Sequence, residues 1–296
     1  PQPDDPVRET EVLTAQSHDE PEPDVHVYDL GQNMVGVPRV TLTGEPGQEV
    51  TLRHGEMLET DGTLYTENLR TAEATDRYVF DESGTITYEP AFTQHGFQYI
   101  EVTGVDEAPE PGDVQGVVWE SDLRDTADMT TSNELVNQLL SNISWGQRGN
   151  FVSVPTDTPA RDERLGWTGD INVFAPTAAY LKDTRAFLDK WMTDVGDAQH
   201  DNGDVPPIAP LPPNGELTEG GTAWSDAAVT VPYSVFHAYG DVGIARDHWD
   251  TMVAFMDYVE ESAGEDLIDD ARESFYTNDW LHLEEDTPLA VMGTAY

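Results

Sequence analysis

The chain changes period once, near residue 122, and that change divides what it can fold into. From Val25 to about Ser121, short runs alternate apolar and polar residues or gather β-branched and aromatic ones: Val25–Leu30, Val35–Leu42, Glu49–Arg53, Arg77–Phe80, Thr85–Tyr88, Tyr99–Val105 and Val114–Trp119. Gly44-Glu-Pro-Gly47, Asp61-Gly62 and Glu82-Ser-Gly84 punctuate them as turns. About seven strands at this spacing predict an antiparallel β-sandwich. After Asp122 the period becomes helical. Thr131-Ser-Asn-Glu134 has the form of a capping box, and Leu135, Val136, Leu139, Leu140 and Ile143 then recur on one helix face. Further helices are expected over residues 170–182, 184–199, 224–239 and 242–262. The stripes Phe187, Leu188, Trp191, Met192, Val195 and Trp249, Met252, Val253, Met256, Val259 read as core. The expectation is an α+β multidomain chain: residues 1–24 a mobile acidic extension, 25–123 the sandwich, 124–296 helical.

Loops rich in Gly, Pro, Trp and acid separate the helices over 151–169, 201–223 and 263–288. Each sets a tryptophan and an acid near a helix end: Trp167 with Asp170, Trp224 with Asp226, Asp279 with Trp280. Paired helices with decorated loops at one end suggest an α/α toroid whose mouth is the site. Indole faces stack on the C–H faces of sugars while carboxylates accept from their hydroxyls, so the chemistry suits a carbohydrate.

Charge narrows the choice of partner. A formal charge of −44 on 296 residues would mark disorder, except that 38% of the residues are hydrophobic and seven are tryptophan. Self-repulsion on this scale is relieved by salt, and with lysine reduced to Lys182 and Lys190 it suggests a salt-adapted source, as in halophilic archaea. Nucleic acid and anionic membrane are poor partners for a chain without clustered Lys and Arg. Cysteine is absent, which excludes disulfides, thiolate metal sites and a cysteine nucleophile. No apolar run nears 18 residues, and localisation is open between cytoplasm and secretion. The eight histidines form no His-x-x-x-His pair, His95 reads as a domain-junction or pocket-rim residue, and neither Gly-x-Ser-x-Gly nor a phosphate-binding loop occurs. No metal or other cofactor is expected, with calcium at an acidic loop left open, as is the oligomeric state.

The densest chemistry lies in Asp157-Thr-Pro-Ala-Arg-Asp-Glu-Arg-Leu-Gly-Trp-Thr-Gly-Asp170. Its four acids are hardly an excess over what the composition predicts. Its two arginines are, because only twelve occur in the chain and Arg161 and Arg164 stand three residues apart. Guanidinium groups beside Asp157, Asp162, Glu163 and Asp170 can fix carboxylates or separate their proton affinities, whether in an ion-pair knot or in a sugar-cleaving site.

These residues resemble the bacterial-type α-L-rhamnosidases, and the resemblance covers most of the chain. It runs through Tyr28-Asp-Leu-Gly-Gln-Asn-Met-Val-Gly36, Arg53-His-Gly-Glu56, Asp61-Gly-Thr-Leu-Tyr-Thr-Glu-Asn-Leu-Arg70 and His95-Gly-Phe-Gln-Tyr-Ile-Glu-Val-Thr-Gly104. It continues through Asp157 to Asp170, with Thr158 and Ala160 where Cys and Gln are common, then Gly203-Asp-Val-Pro206, Ala223-Trp-Ser-Asp-Ala-Ala228, Asp279-Trp-Leu281 and Thr294-Ala-Tyr296. The resemblance implies a β-sandwich followed by an (α/α)6 six-hairpin barrel that hydrolyses terminal α-linked L-rhamnose, from glycosides or polysaccharides, with inversion. It implies Glu163 as general acid, with Asp157, Arg161, Asp162, Trp167, Asp170, Trp224 and Trp280 holding the sugar. Neighbouring anions such as Asp162 or Asp157 would favour a protonated Glu163 and the arginines would oppose it.

An inverting enzyme also needs a general base across the sugar, roughly 6.5–9.5 Å from the acid. About five helical segments follow residue 128 where a six-hairpin barrel needs twelve. The expectation is therefore an incomplete, C-terminally truncated barrel that lacks its base and exposes helix faces. Asp226, Asp279, Glu284 and Glu285 are the substitutes at hand. Two other readings stand beside this one: a different α/α-barrel glycosidase, and a non-catalytic carbohydrate-binding module.

Overall fold

The computed structural model describes residues 4–213, 219–265, 267–270, 272, 279–285 and 287–296. Its organising element is one long strand. β3 (Val25–Gly44) joins two of the expected runs and changes partners along its length. Near Tyr28 it lies between β2 (Ser17–Glu22) and β9 (His95–Thr103), near Gly36 between β9 and β10 (Val114–Ser121), and beyond Val40 it pairs β8 (Gly84–Tyr88). β4 (Glu49–Gly55) and β7 (Thr75–Val79) continue from β9, and β1 (Val7–Thr14) closes the other edge on β10. All these pairs are antiparallel. Two short hairpins, β5 (Met57–Leu58) with β6 (Leu64–Tyr65) and β11 (Phe151–Val152) with β12 (Val154–Pro155), complete the strands. Val50, Leu52, Phe97, Ile100, Val102 and Val118 sit in the core of this sheet at 0–1% exposure, where the period-2 pattern places them.

Residues 7–22 correct the expected mobile extension, because they are strands β1 and β2 of the sheet. Both are mostly exposed, so no alternation marks them. Backbone pairing recruits them, helped by Leu13 against the sheet core, His18 stacked on Tyr28, and Glu9 and Glu11 paired with Arg39 and Arg148, and their acids blunt the edge.

Seven α-helices follow among the described residues. α1 (Glu134–Asn150) starts two residues later than the expected capping box: Asn133 is the cap, its Oδ1 accepting from Leu135 N at 3.0 Å, while Thr131 Oγ1 donates to Asn133 O. Its Leu135, Val136 and Leu139 are exposed, and it is the C-terminal half that packs, Gly149 against Val35 and Trp145 against the sheet core. α2 (Thr168–Leu181), α3 (Arg185–Ala198) and α4 (Ala227–Tyr239) build the second core. Ala175, Ala178, Ala227 and Ala228 let helices approach closely there, and Phe187, Leu188, Trp191, Met192 and Val195 are buried as the periodicity predicts. The expected helix 242–262 is broken at His248 into α5 (Gly243–Asp247) and α6 (Trp249–Ala263). Its stripe is not core: Trp249, Val253 and Met256 are exposed, Met252 and Val259 half-buried, and the buried residue is Phe255. α7 (Leu289–Ala295) is the last element. No described helix is long and apolar enough to cross a membrane.

Charges join the two cores. Buried Glu120 of β10 accepts from Arg148 Nε of α1 at 3.0 Å and faces Lys182 Nζ, beyond α2, at 3.4 Å. The Arg148 guanidinium also lies 3.9 Å over the Trp145 ring and pairs with Glu11. Glu120→Ala leaves the buried Lys182 ammonium with exposed Asp125 and the Leu123 carbonyl, so unfolding in urea should lose about 3–5 kcal/mol. A loss below about 1 kcal/mol would show that water satisfies Lys182 instead.

Candidate active site

Residues 156–167, between β12 and α2, form the floor of a cavity of about 650 Å³. The loop is closed on itself: Asp157 N donates to Leu165 O, and Leu165 N donates to Asp157 Oδ1, both at 3.2 Å. Its far end is tied to the 207–209 segment, Thr168 N donating to Pro207 O at 2.8 Å and Ala209 N to Gly166 O at 2.9 Å. Trp191 of α3, buried below, fixes that segment by donating from Nε1 to Ala209 O. The sheet domain holds the other side. Gly96 of β9 would bring a Cβ to within 3.0–3.1 Å of Pro159 and Ala160, Arg164 donates to Gln94 O at 2.9 Å, and Thr71 donates from N and Oγ1 to Asp162 Oδ2.

All eight residues singled out in the sequence line this one cavity: Asp157, Arg161, Asp162, Glu163, Trp167, Asp170, Trp224 and Trp280. Arg70, Leu165 and Leu281 complete the wall. Trp224 owes its place to Gly169, where a Cβ would fall 2.5 Å from the indole, and to Asn172, whose Nδ2 donates to Ala223 O. The indole Nε1 atoms of Trp167 and Trp224 are buried without a hydrogen-bond partner. The candidate bases do not reach this wall. Asp226 is buried away from it, accepting from Ala223 N and facing Arg272 Nη1 at 3.3 Å, so it is structural. Asp279 is committed to Thr287, and Glu284 and Glu285 are exposed outside the cavity.

Glu163 sits among cations and anions together. Its Oε2 lies 2.8 Å from Arg161 Nη2 and 3.1 Å from Arg70 Nη1. Neither N–H is aligned for a hydrogen bond, so charge rather than directed bonding holds this buried oxygen. Burial first, then the Glu163 carboxylate, pushes the Asp157 carboxyl up from 3.8 to about 6, although Arg161 Nη2 stands 3.5 Å from its Oδ2. Asp170 moves the same way by burial, with Glu163 adding and Arg161 opposing. Asp162, bonded to the Thr71 hydroxyl, is held below the usual range.

Arg70 is the contributor that the sequence reading missed. It follows a single 3-10 turn (Glu67–Leu69) at φ 55°, and its scarcity among residue types was the signal that could have raised it, as it did for Arg161. A second cluster, His54, Asp76 and His95, lies in the sheet domain beside the loop contact. His95 Nε2 is 3.0 Å from Asp76 Oδ2 and the two imidazoles stack at 4.1 Å and 9°. His54 Nε2 lies 3.7 Å from the same Asp76 oxygen, and the cluster braces His95 and the neighbouring Gly96 where the loop docks.

The raised Asp157 carboxyl links the site to stability. Below pH 3.8 it is protonated whether folded or not; between 3.8 and about 6 the folded state holds the proton that the unfolded chain releases, so stability falls as pH rises. Ionised, it costs the fold up to about 3 kcal/mol. Asp157→Asn should therefore gain stability over the parent above pH 6, and the gain should vanish below pH 4, as read by thermal unfolding across that range. An equal difference at both ends would remove this account.

Comparison with known proteins follows the same division. Residues 124–296 match the bacterial alpha-L-rhamnosidase 6 hairpin glycosidase domain and residues 19–120 the bacterial alpha-L-rhamnosidase concanavalin-like domain. An alpha-L-rhamnosidase of Streptomyces avermitilis is 48% identical over 293 residues, covering 99% of this chain and 28% of that protein. One from Formosa agariphila is 40% identical, covering 92% and 30%. The crystal structure of the Streptomyces avermitilis alpha-L-rhamnosidase complexed with L-rhamnose superposes with a TM-score of 0.93 at 49% identity, over 99% of this chain and 28% of that one. The chain thus spans less than a third of the length of these relatives. With both domains matched in order, it belongs to the bacterial alpha-L-rhamnosidase family.

Proposed function

We propose that the enzyme to which these residues belong hydrolyses terminal α-L-rhamnosyl residues with inversion, Glu163 acting as general acid. The observation that carries this is the gathering of Glu163, three tryptophans and the carboxyls of Asp157 and Asp170 around one cavity of about 650 Å³. Trp167, Trp224 and Trp280 offer apolar faces to the sugar ring. Asp157, Arg161 and Asp170 supply the acceptors and the cation. Asp162, also on the wall, has one oxygen committed to Thr71 and offers only the other to the sugar. Glu163 gives its proton to the glycosidic oxygen as the C–O bond breaks, and a water attacks the anomeric carbon from the other face, losing its proton to a base.

The base must stand across the ring from Glu163. Asp157, Asp162 and Asp170 share the floor with Glu163, and the remaining wall, Arg70, Trp224, Trp280 and Leu281, carries no carboxylate among the described residues. We place the base outside them.

In the full-length enzyme, Glu163→Gln should lower kcat on alkyl α-L-rhamnosides by about 10²–10⁴ and on nitrophenyl rhamnosides much less, since a good leaving group needs no proton. Equal losses on both would remove Glu163 from the acid role, and activity on other aryl glycosides but not on rhamnosides would assign a different sugar. The charge of −44 further supports a salt-adapted enzyme. Its thermal midpoint should climb by several degrees between 0.1 M and 2 M KCl as screening relieves self-repulsion, and a flat or falling midpoint would sink that reading.

A further inference from the structure

We infer that Arg70, supplied by the sheet domain, is a positioning residue for the general acid, so that the acid half of the site is assembled from two domains. The inference rests on the reading of Glu163 as proton donor. Arg70 Nη1 stands 3.1 Å from Glu163 Oε2 and 3.8 Å from Asp162 Oδ1, and the next residue, Thr71, donates twice to Asp162 Oδ2. Two consecutive residues of one domain thereby hold two consecutive acids of the other.

The consequence is orientation. Both guanidinium groups, of Arg70 and Arg161, meet the same buried oxygen, Oε2, while the Glu163 side chain as a whole keeps 18% of its surface. Oε1 has no such partner among the described residues, so it is the oxygen left to the cavity and to a leaving group. When its proton departs, the charge that remains falls on a carboxylate already faced by two cations placed beforehand, which lowers the cost of the transfer without reorganisation. Arg161 could not do this alone, because it is shared with Asp157 at 3.5 Å.

Arg70 is held for the purpose. Leu69 before it is 2% exposed and anchors the turn, and Arg70 itself adopts φ 55°, ψ −113°, a backbone that non-glycine residues seldom occupy. His54 fastens the far end of the same loop, its backbone N and Nδ1 both meeting Ala74 O, at 3.0 and 2.9 Å. The Arg70 side chain is half-exposed at 52%, so truncating it opens no cavity in the core.

The test is Arg70→Gln and Arg70→Lys in the full-length enzyme, each assayed on a nitrophenyl and an alkyl α-L-rhamnoside. Arg70→Gln should lower kcat on the alkyl substrate about 10–100-fold, the order expected when a reacting group is misplaced by about an ångström, and on the nitrophenyl substrate less than about 3-fold, with KM nearly unchanged. Arg70→Lys should recover part of the alkyl activity, and millimolar guanidinium should rescue an Arg70→Ala variant. Equal losses on both substrates, or a rise in KM alone, would overturn the inference while leaving Glu163 in its role. If the parent cleaves neither rhamnoside, the reading beneath falls and this inference with it. A variant that unfolds, seen as a lost thermal transition, would make Arg70 structural and overturn the inference as well.

Discussion

Four carboxyl groups within fourteen residues repel one another, and the loop that carries them stays closed because counter-charge reaches it from both sides. Arg161 works from within the loop, Arg70 from the sheet domain, and Arg164 turns outward to clasp the sheet backbone at Gln94. The apolar part of the clamp is as demanding: Gly96 and Gly169 are the two places where a side chain would push the loop off the sheet or Trp224 off the helix. Removing the sheet domain would take Arg70 from Glu163 and Thr71 from Asp162. The cavity is therefore a property of the junction between the cores, and the Glu120 pairs that join α1 and Lys182 to β10 belong to the same device.

Much of this was legible in the chain because each signal was local. The run Phe187 to Val195 names its own core, and the Asp157–Asp170 segment combines scarce arginines with tryptophan in a way that composition does not explain. What was not legible depended on partners far away in sequence. Periodicity finds an apolar helix face but not what covers it, which is why Trp249 and Met256 of α6 were read as core and stand exposed. β1 and β2 were missed for the opposite reason, since mostly exposed strands held largely by backbone pairing carry no clear period. Arg70 lay within a motif that was noticed, yet only the docking of loop 67–74 on the helical domain brings it within 3.1 Å of Glu163.

The acids that had been set beside the tryptophans divide in the structure. Asp170 goes to the cavity with Trp167, whereas Asp226 leaves Trp224 at the wall and turns inward to Arg272 and Ala223 N. Three similar sequence pairs thus serve two ends, one chemical and one structural. Burial raises the proton affinity of both Asp170 and Asp226, but a guanidinium bridges Asp226 where none pairs directly with Asp170. Titration alone would not tell them apart; the partner does.

Strain and unmet hydrogen bonding gather at the same place. Arg70, Arg164, Ala223 and Leu281, four non-glycine residues at positive φ, all flank or line the cavity, as do the unpartnered indole nitrogens of Trp167 and Trp224 and the raised carboxyl of Asp157. Each lowers stability, and none is required by the packing of either core. A fold tolerates such defects where surrounding contacts over-determine the backbone, here the double tie of Thr168 to Pro207 and the buried Trp191 beneath it. Their concentration on one wall marks a preformed polar site, its groups held ready at a cost to the fold.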